Sequence, residues 1–341
     1  MAASPTPLIA LAMGDPAGVS PELTAKVVAL DDVRAAARLA VIGDARVFDA
    51  GAELAGVAPA MMRIGPHDAL PVTDRIVFVD LAHLDPATIA RSVPSRAGGA
   101  FALANYRHAL ERASRGEAAA VCFTPFNKQA MRMADADYED EIGFTAGVLG
   151  THGPATEFNI LEGLWNARVT SHVPMAKMPK LLTVDAIVDA LGLTASALRA
   201  AGFHPPRIAV AALNPHAGDG GNFGREEIEV IAPAVKAAQA KGIVCEGPFP
   251  ADTVFVRARR GDFDAVLTMY HDQGQIAMKL MGFDRGVTLL GGFPFPICTP
   301  AHGTAYDIAG KGSANPGATR AAVLLAAAMA RRQDHQAREP A

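Results

Sequence analysis

Short, wholly apolar runs separated by turns and helical patterns recur along the chain, and they constrain its fold more than any other feature. Leu8 to Met13 opens the series, and Leu39 to Ile42, Ile76 to Val79 and Ala119 to Phe123 continue it, with helical patterns such as Ala100 to Ala113 between them. A run that is apolar at every position needs cover on both faces of its sheet, so the pattern predicts a mostly parallel sheet lined by helices. After a turn at Pro125 it resumes with Ala167 to Ser171, a helix from about Val184 to Ala200, Ile208 to Leu213, a helix from about Glu226 to Ala240, and Ala265 to Met269. A final helix is expected over roughly Ala318 to Arg332. At 341 residues the chain exceeds one typical domain, which leaves a two-domain or large α/β body.

Charge and cysteine usage exclude several roles. A formal net charge of -4 gives no broad attraction to a phosphate backbone or an anionic bilayer, so neither nucleic acid nor membrane is expected as a partner. The longest apolar run, Ala321 to Ala330, is about half of the ~20 residues a spanning helix needs. No basic region precedes the first apolar run, so a soluble cytoplasmic protein is expected. Cys122, Cys245 and Cys298 are far apart and form no C-x-x-C pair, which predicts neither a disulfide framework nor a structural zinc site.

In open parallel sheets functional groups collect at the carboxyl ends of strands. The suggestive residues here fall there: Gly14-Asp15-Pro16 after the first run, Asn127-Lys128 after Phe123, then Ser171-His172, Asn214-Pro215-His216 and Tyr270-His271-Asp272. His172, His216 and His271 come from separate predicted strands and can converge on one divalent cation, although their spacing alone does not separate ligands from structural histidines. Asp272 and Asp252 are candidates for holding such ligands or moving protons, although as isolated acids helix capping or a solvated turn accounts for them better. Lys128 and Lys279 are the lysines best placed for an anionic substrate. The loop from Gly218 to Gly224 matches no phosphate-binding pattern, so tight turning explains it as well as anion binding.

Taken together, these stretches resemble the 4-hydroxythreonine-4-phosphate dehydrogenase family. The resemblance runs through Gly14-Asp15-Pro16-Ala17-Gly18-Val19-Ser20-Pro21-Glu22, Asn127-Lys128, Asn214-Pro215-His216-Ala217-Gly218, Ala251-Asp252-Thr253, Tyr270-His271-Asp272-Gln273-Gly274 and the loop from His302 to Pro316, over nearly the whole chain. It implies two α/β/α lobes around a central cleft, like isocitrate and isopropylmalate dehydrogenases. Residues 1–125 with 296–341 would form the lobe carrying the cofactor loop, and 126–295 the lobe carrying metal ligands and dimer contacts. It also implies a homodimer, NAD, and a divalent metal held by His172, His216 and His271. Three imidazoles favour zinc over magnesium, manganese or cobalt. The loop His302 to Pro316 is similar to the adenosine-binding loop of isopropylmalate dehydrogenases, which would place His302, Asp307, Ile308 and Asn315 at the cofactor, with Asp307 on the ribose hydroxyls. The implied chemistry is oxidation of a secondary alcohol in a small anionic hydroxy acid or diol, with decarboxylation where the ketone is β to a carboxylate. Asp272, Asp252 and Lys128 are the candidates for moving the hydroxyl proton.

The departures from the family pattern concern the substrate. Glu141-Ile142 stands where the resemblance implies a His-Thr pair, Thr288 where it implies an asparagine, and Ile297 where it implies a phosphate-facing arginine, leaving Lys279 of the usual set. A phosphate would lose partners and meet Glu141, which is unfavourable in a partly desolvated cleft. Dehydrogenation of a changed substrate is therefore expected. The competing readings are the vitamin B6 enzyme itself, a dehydrogenase of phosphorylated threonate or erythronate or of a carboxylated cis-dihydrodiol, and a non-catalytic binding protein on the same fold.

Overall fold

The computed structural model describes residues 6–338. They divide into two compact units, one made of the residues up to Gly153 together with those from Val287 onward, the other of Pro154–Gly286. Both boundaries therefore lie elsewhere than the expected 125 and 296. The helices Lys128–Ala134 and Glu141–Leu149 pack against Arg96–Ser114, which keeps the chain after Pro125 in the first unit. The strand Val287–Gly291 pairs with Ile297–Pro300, which carries the second boundary back to Val287.

The strands are β1 (Leu8–Ala12), β2 (Arg38–Gly43), β3 (Met61–Ile64), β4 (Ile76–Asp80) and β5 (Ala120–Phe123) in the first unit, and β6 (Thr156–Leu161), β7 (Leu164–Arg168), β8 (Ile208–Ala211), β9 (Cys245–Phe249) and β10 (Ala265–Thr268) in the second. The last two, β11 (Val287–Gly291) and β12 (Ile297–Pro300), return to the first. In the first unit the order is β3-β4-β2-β1-β5-β12-β11, parallel except for the β11–β12 pair. In the second it is β6-β7-β10-β8-β9, parallel except for the β6–β7 hairpin. The α/β class read from the apolar runs is what the backbone shows, and those runs are the central strands: β1, β5, β8 and β10 are buried along their whole lengths.

The turns after these strands are set by short polar contacts. Ser20 lies inside the first turn of the helix Ser20–Ala29 rather than at its cap, and its hydroxyl donates to the carbonyl of Pro125 at 2.7 Å. After β2, Asp44 caps the helix Ala45–Ala55. It accepts from the amides of Arg46 at 3.0 Å and Leu84 at 2.9 Å, and from the Arg46 guanidinium at 2.8 Å. Burial works to raise the Asp44 pKa, but these donors outweigh it and bring the carboxyl from the usual 3.8 to about 2. A depressed carboxyl stabilises the fold above its ordinary pKa, and that contribution is lost as pH falls through about 2. Asp44→Ala is accordingly expected to cost about 2 kcal/mol at neutral pH, the equivalent of the displaced pKa, and to remove this loss on acidification. Urea unfolding of both proteins across the acid range checks it.

Candidate active site

The second unit brings the expected metal ligands to one end of its sheet. His172 follows β7, His271 follows β10 and His216 follows β8, and β10 lies between the other two strands. Parallel neighbours end on the same side, so the three segments start side by side. His271 opens the helix His271–Gly282. That helix starts close to the sheet because Gly274 has no side chain: a Cβ there would stand 2.1 Å from Asn166 Oδ1. Gln273 then ties two strand ends together, accepting from the Met269 amide at 2.8 Å and donating to the Ala212 carbonyl at 2.7 Å.

The rings of His172 and His271 lie 5.7 Å apart between centroids. Asp272 Oδ1 is 2.7 Å from His271 Nδ1, within hydrogen-bond reach, so the carboxylate can orient the ring. His216 sits in a turn of left-handed backbone from His216 to Gly220, with φ of 53° at His216, 54° at Ala217 and 44° at Asp219. Such conformations cost non-glycine residues free energy and persist where the surroundings fix them. Here Glu227, buried at 3% exposure, accepts from the amides of Leu213 at 2.8 Å and Asn214 at 2.7 Å. The donors therefore suit a divalent ion in kind, and two of them are adjacent. Among the described residues, however, no three His, Cys, Asp or Glu side chains form a ready metal cluster.

Asp252 is exposed in the first turn of the helix Ala251–Arg259, which packs beside the Pro215–Gly221 turn. Lys279 is exposed in the last turn of the helix His271–Gly282. Ile276 and Leu280 on the same helix and Phe283 at its C-cap, spaced at i, i+4 and i+7, leave an apolar stripe at 61%, 84% and 57% exposure.

In the first unit the loop after β12 is fastened at both ends. Lys26 Nζ donates to the carbonyls of Gly312 at 2.9 Å and Ala314 at 2.8 Å, and Glu22 Oε1 accepts from the Ala314 amide at 2.7 Å. Asn315 Oδ1 accepts from the Gly317 amide at 2.9 Å, at the start of the last helix, Gly317–Arg338. Ile308 packs with Val19, Leu23 and Ala314, while Asp307 beside it is exposed. His302 Nδ1 lies 3.0 Å from the Gly303 carbonyl. Tyr306, which motif reading passed over, donates its hydroxyl to Asp15 at 2.5 Å and accepts from Asn127 Nδ2 at 3.0 Å.

Asn127 also caps the helix Lys128–Ala134, and Lys128 Nζ lies 3.1 Å from Glu141 Oε2. Glu141 is buried at 9% exposure at the start of its own helix, and Ile142 packs against the aromatic core of this unit. Thr288 pairs with Thr299 across β11 and β12. Ile297 does not line a pocket as expected: it has no exposed surface and packs with Val121, Leu290 and Phe295, where an apolar side chain contributes more than a ligand contact would. Among the described residues no helix is long and apolar enough to cross a membrane.

Residues 35–326 match the family of pyridoxal phosphate biosynthetic protein PdxA. A Rhizobium meliloti relative, provisionally named 4-hydroxythreonine-4-phosphate dehydrogenase 2, is 60% identical over 96% of this chain and 94% of its own. The crystal structure of a 4-hydroxythreonine-4-phosphate dehydrogenase from Klebsiella pneumoniae superposes with a TM-score of 0.81 at 34% identity, covering 95% of this chain and 99% of that one. A terephthalate 1,2-cis-dihydrodiol dehydrogenase from Burkholderia xenovorans superposes at 0.64 with 28% identity, covering 94% and 98%.

Proposed function

The chain belongs to the pyridoxal phosphate biosynthetic PdxA family of dehydrogenases, oxidoreductases that act on CH-OH groups, and from that premise we propose a divalent-metal- and NAD-dependent enzyme whose small hydroxy-acid or diol substrate differs from 4-hydroxythreonine 4-phosphate. NAD, when bound, would supply the hydride acceptor for the alcohol carbon, with the hydroxyl proton passing to a base, so that the alcohol becomes a ketone. His172, His216 and His271 would hold the metal, zinc by the preference of three imidazoles. When bound, it supplies Lewis-acid polarisation of the substrate alcohol.

The protein's own groups account for the rest. Asp272 orients the His271 ring. Lys279 pairs with the substrate carboxylate, and Asp272 and Asp252 are the candidates to accept the proton, whereas Lys128, read from the sequence as a third, is tied up as the cation of its pair with Glu141. Asp307 accepts hydrogen bonds from the ribose hydroxyls and repels a 2'-phosphate, which selects NAD over NADP. His302, Ile308 and Asn315 shape the same loop. The apolar stripe Ile276, Leu280 and Phe283 supports a homodimer with contacts on the second unit.

The changed substrate rests on one observation, the pair between Lys128 and a nearly buried Glu141. The carboxylate neutralises the lysine, so a phosphate brought to this group would meet an anion and no spare cation. The second reading, 4-hydroxythreonine-4-phosphate dehydrogenase itself, is favoured by the names of the relatives. The cofactor assignment has its own test: Asp307→Ala is expected to raise the Michaelis constant for NAD about ten-fold and to leave metal content unchanged. Equal NAD affinity in the two proteins by calorimetric titration would remove the loop from the cofactor site.

A further inference from the structure

We infer that Tyr306 is a positioning residue that latches the loop carrying Asp307 onto the Gly14–Gly18 turn and, through Asn127, onto the start of the helix that bears Lys128. This rests on reading residues 302–316 as the cofactor loop. Three separate segments meet at one phenolic oxygen: it donates to Asp15 Oδ2 at 2.5 Å and accepts from Asn127 Nδ2 at 3.0 Å. Asp15 is 1% exposed, and its other oxygen accepts from the Ala17 amide at 2.9 Å. Each carboxylate oxygen thus has one donor, and without the phenol one of them would be buried without a partner.

The backbone around Tyr306 shows why such a latch matters. Ala305, immediately before it, has a φ of 45°, a conformation that a residue with a Cβ holds only when its neighbours are fixed. Contacts on both sides supply that constraint: the Val19 amide donates to the Thr304 carbonyl at 3.0 Å, and the Ser92 hydroxyl donates to the Tyr306 carbonyl at 2.6 Å. Gly18 permits the close approach, since a Cβ there would stand 2.6 Å from the Thr304 carbonyl oxygen. Beside Asp307, the Tyr306 hydroxyl adds a side-chain tether to these backbone contacts. The loop that would grip NAD is held in the shape it needs before the cofactor arrives, which lowers the ordering cost of binding. Because Asn127 caps the helix of Lys128, the same oxygen links the cofactor loop to the segment that sets substrate choice.

The test uses the full-length protein with Tyr306→Phe, Asp15→Asn and Asp307→Ala. Amide hydrogen exchange is followed over residues 302–316 without cofactor, and NAD itself is titrated calorimetrically. Tyr306→Phe is expected to speed exchange at 304–309 while leaving the helix Gly317–Arg338 protected, and to weaken NAD binding about ten-fold, or ~1.4 kcal/mol. Asp15→Asn, which keeps the shape and an accepting oxygen, should move both readouts in the same direction by less, and it carries the comparison if the phenylalanine variant does not fold. Unchanged exchange at 304–309 in these variants, or loosening spread evenly over the whole protein, overturns the latch. Normal NAD affinity in Asp307→Ala would sink the cofactor reading alone, because the exchange measurement decides the latch without any cofactor.

Discussion

His271→Ala is expected to lower turnover by at least about a thousand-fold and to strip the divalent metal from the purified protein. Loss of Lewis-acid stabilisation at a developing negative charge is worth several kcal/mol, and each ~1.4 kcal/mol is a factor of ten in rate. The same helix provides an internal control. Asp272 touches the imidazole at 2.7 Å without being one of the proposed ligands, so Asp272→Asn should weaken metal affinity or activity by a smaller factor, roughly 10 to 100. Metal analysis of both variants beside their steady-state rates separates the two roles. A His271→Ala protein that retains its metal and its turnover would remove the site from this end of the sheet.

Gly99→Ala is expected to destabilise the first unit by about 3 kcal/mol, with the sign opposite to that of an ordinary helix substitution. At an exposed mid-helix position alanine improves on glycine by up to ~1 kcal/mol. Gly99 lies in the helix Arg96–Ser114, and a Cβ there would stand 1.9 Å from the carbonyl oxygen of Ala130. That contact is backbone, so relief requires moving the helix Lys128–Ala134 as a whole, an overpacking cost of about 1–3 kcal/mol or more. The displaced helix carries Lys128 and its cap Asn127, so Glu141 should lose its partner in the same variant. Chemical unfolding of the variant against wild type reads the effect, and a stability gain would contradict the close packing.

The central strands were legible because Leu8 to Met13, Leu39 to Ile42, Ile76 to Val79 and Ala119 to Phe123 are apolar at every position, a pattern only burial on both faces requires. The strands β3, β6 and β9 carry no such signal. Thr156–Leu161 contains Glu157 and Asn159, whose side chains pair with Arg168, and Cys245–Phe249 contains Gly247 and Pro248. The domain boundaries were misplaced for a related reason: helix packing on Arg96–Ser114 and the β11–β12 pair are tertiary facts that a turn at Pro125 does not encode. Histidines after strands could be picked out locally, but their adjacency depends on β10 lying between β7 and β8, which is topology. The Asp15–Tyr306 contact joins residues 291 apart, and neither residue type announces the other. Ile297 was read as a binding position through the resemblance alone, and its full burial in β12 puts it in the core instead.

The substrate is the point on which the functional account turns, and NADH formation by the metal-loaded protein tests it directly. The panel is 4-hydroxythreonine 4-phosphate, phosphorylated threonate and erythronate, unphosphorylated tetronates, and carboxylated cis-dihydrodiols. The pairing of Glu141 with Lys128 predicts that one of the other compounds is turned over at least about ten-fold more efficiently than 4-hydroxythreonine 4-phosphate, a transition-state difference of ~1.4 kcal/mol. Robust turnover of 4-hydroxythreonine 4-phosphate alone would contradict it.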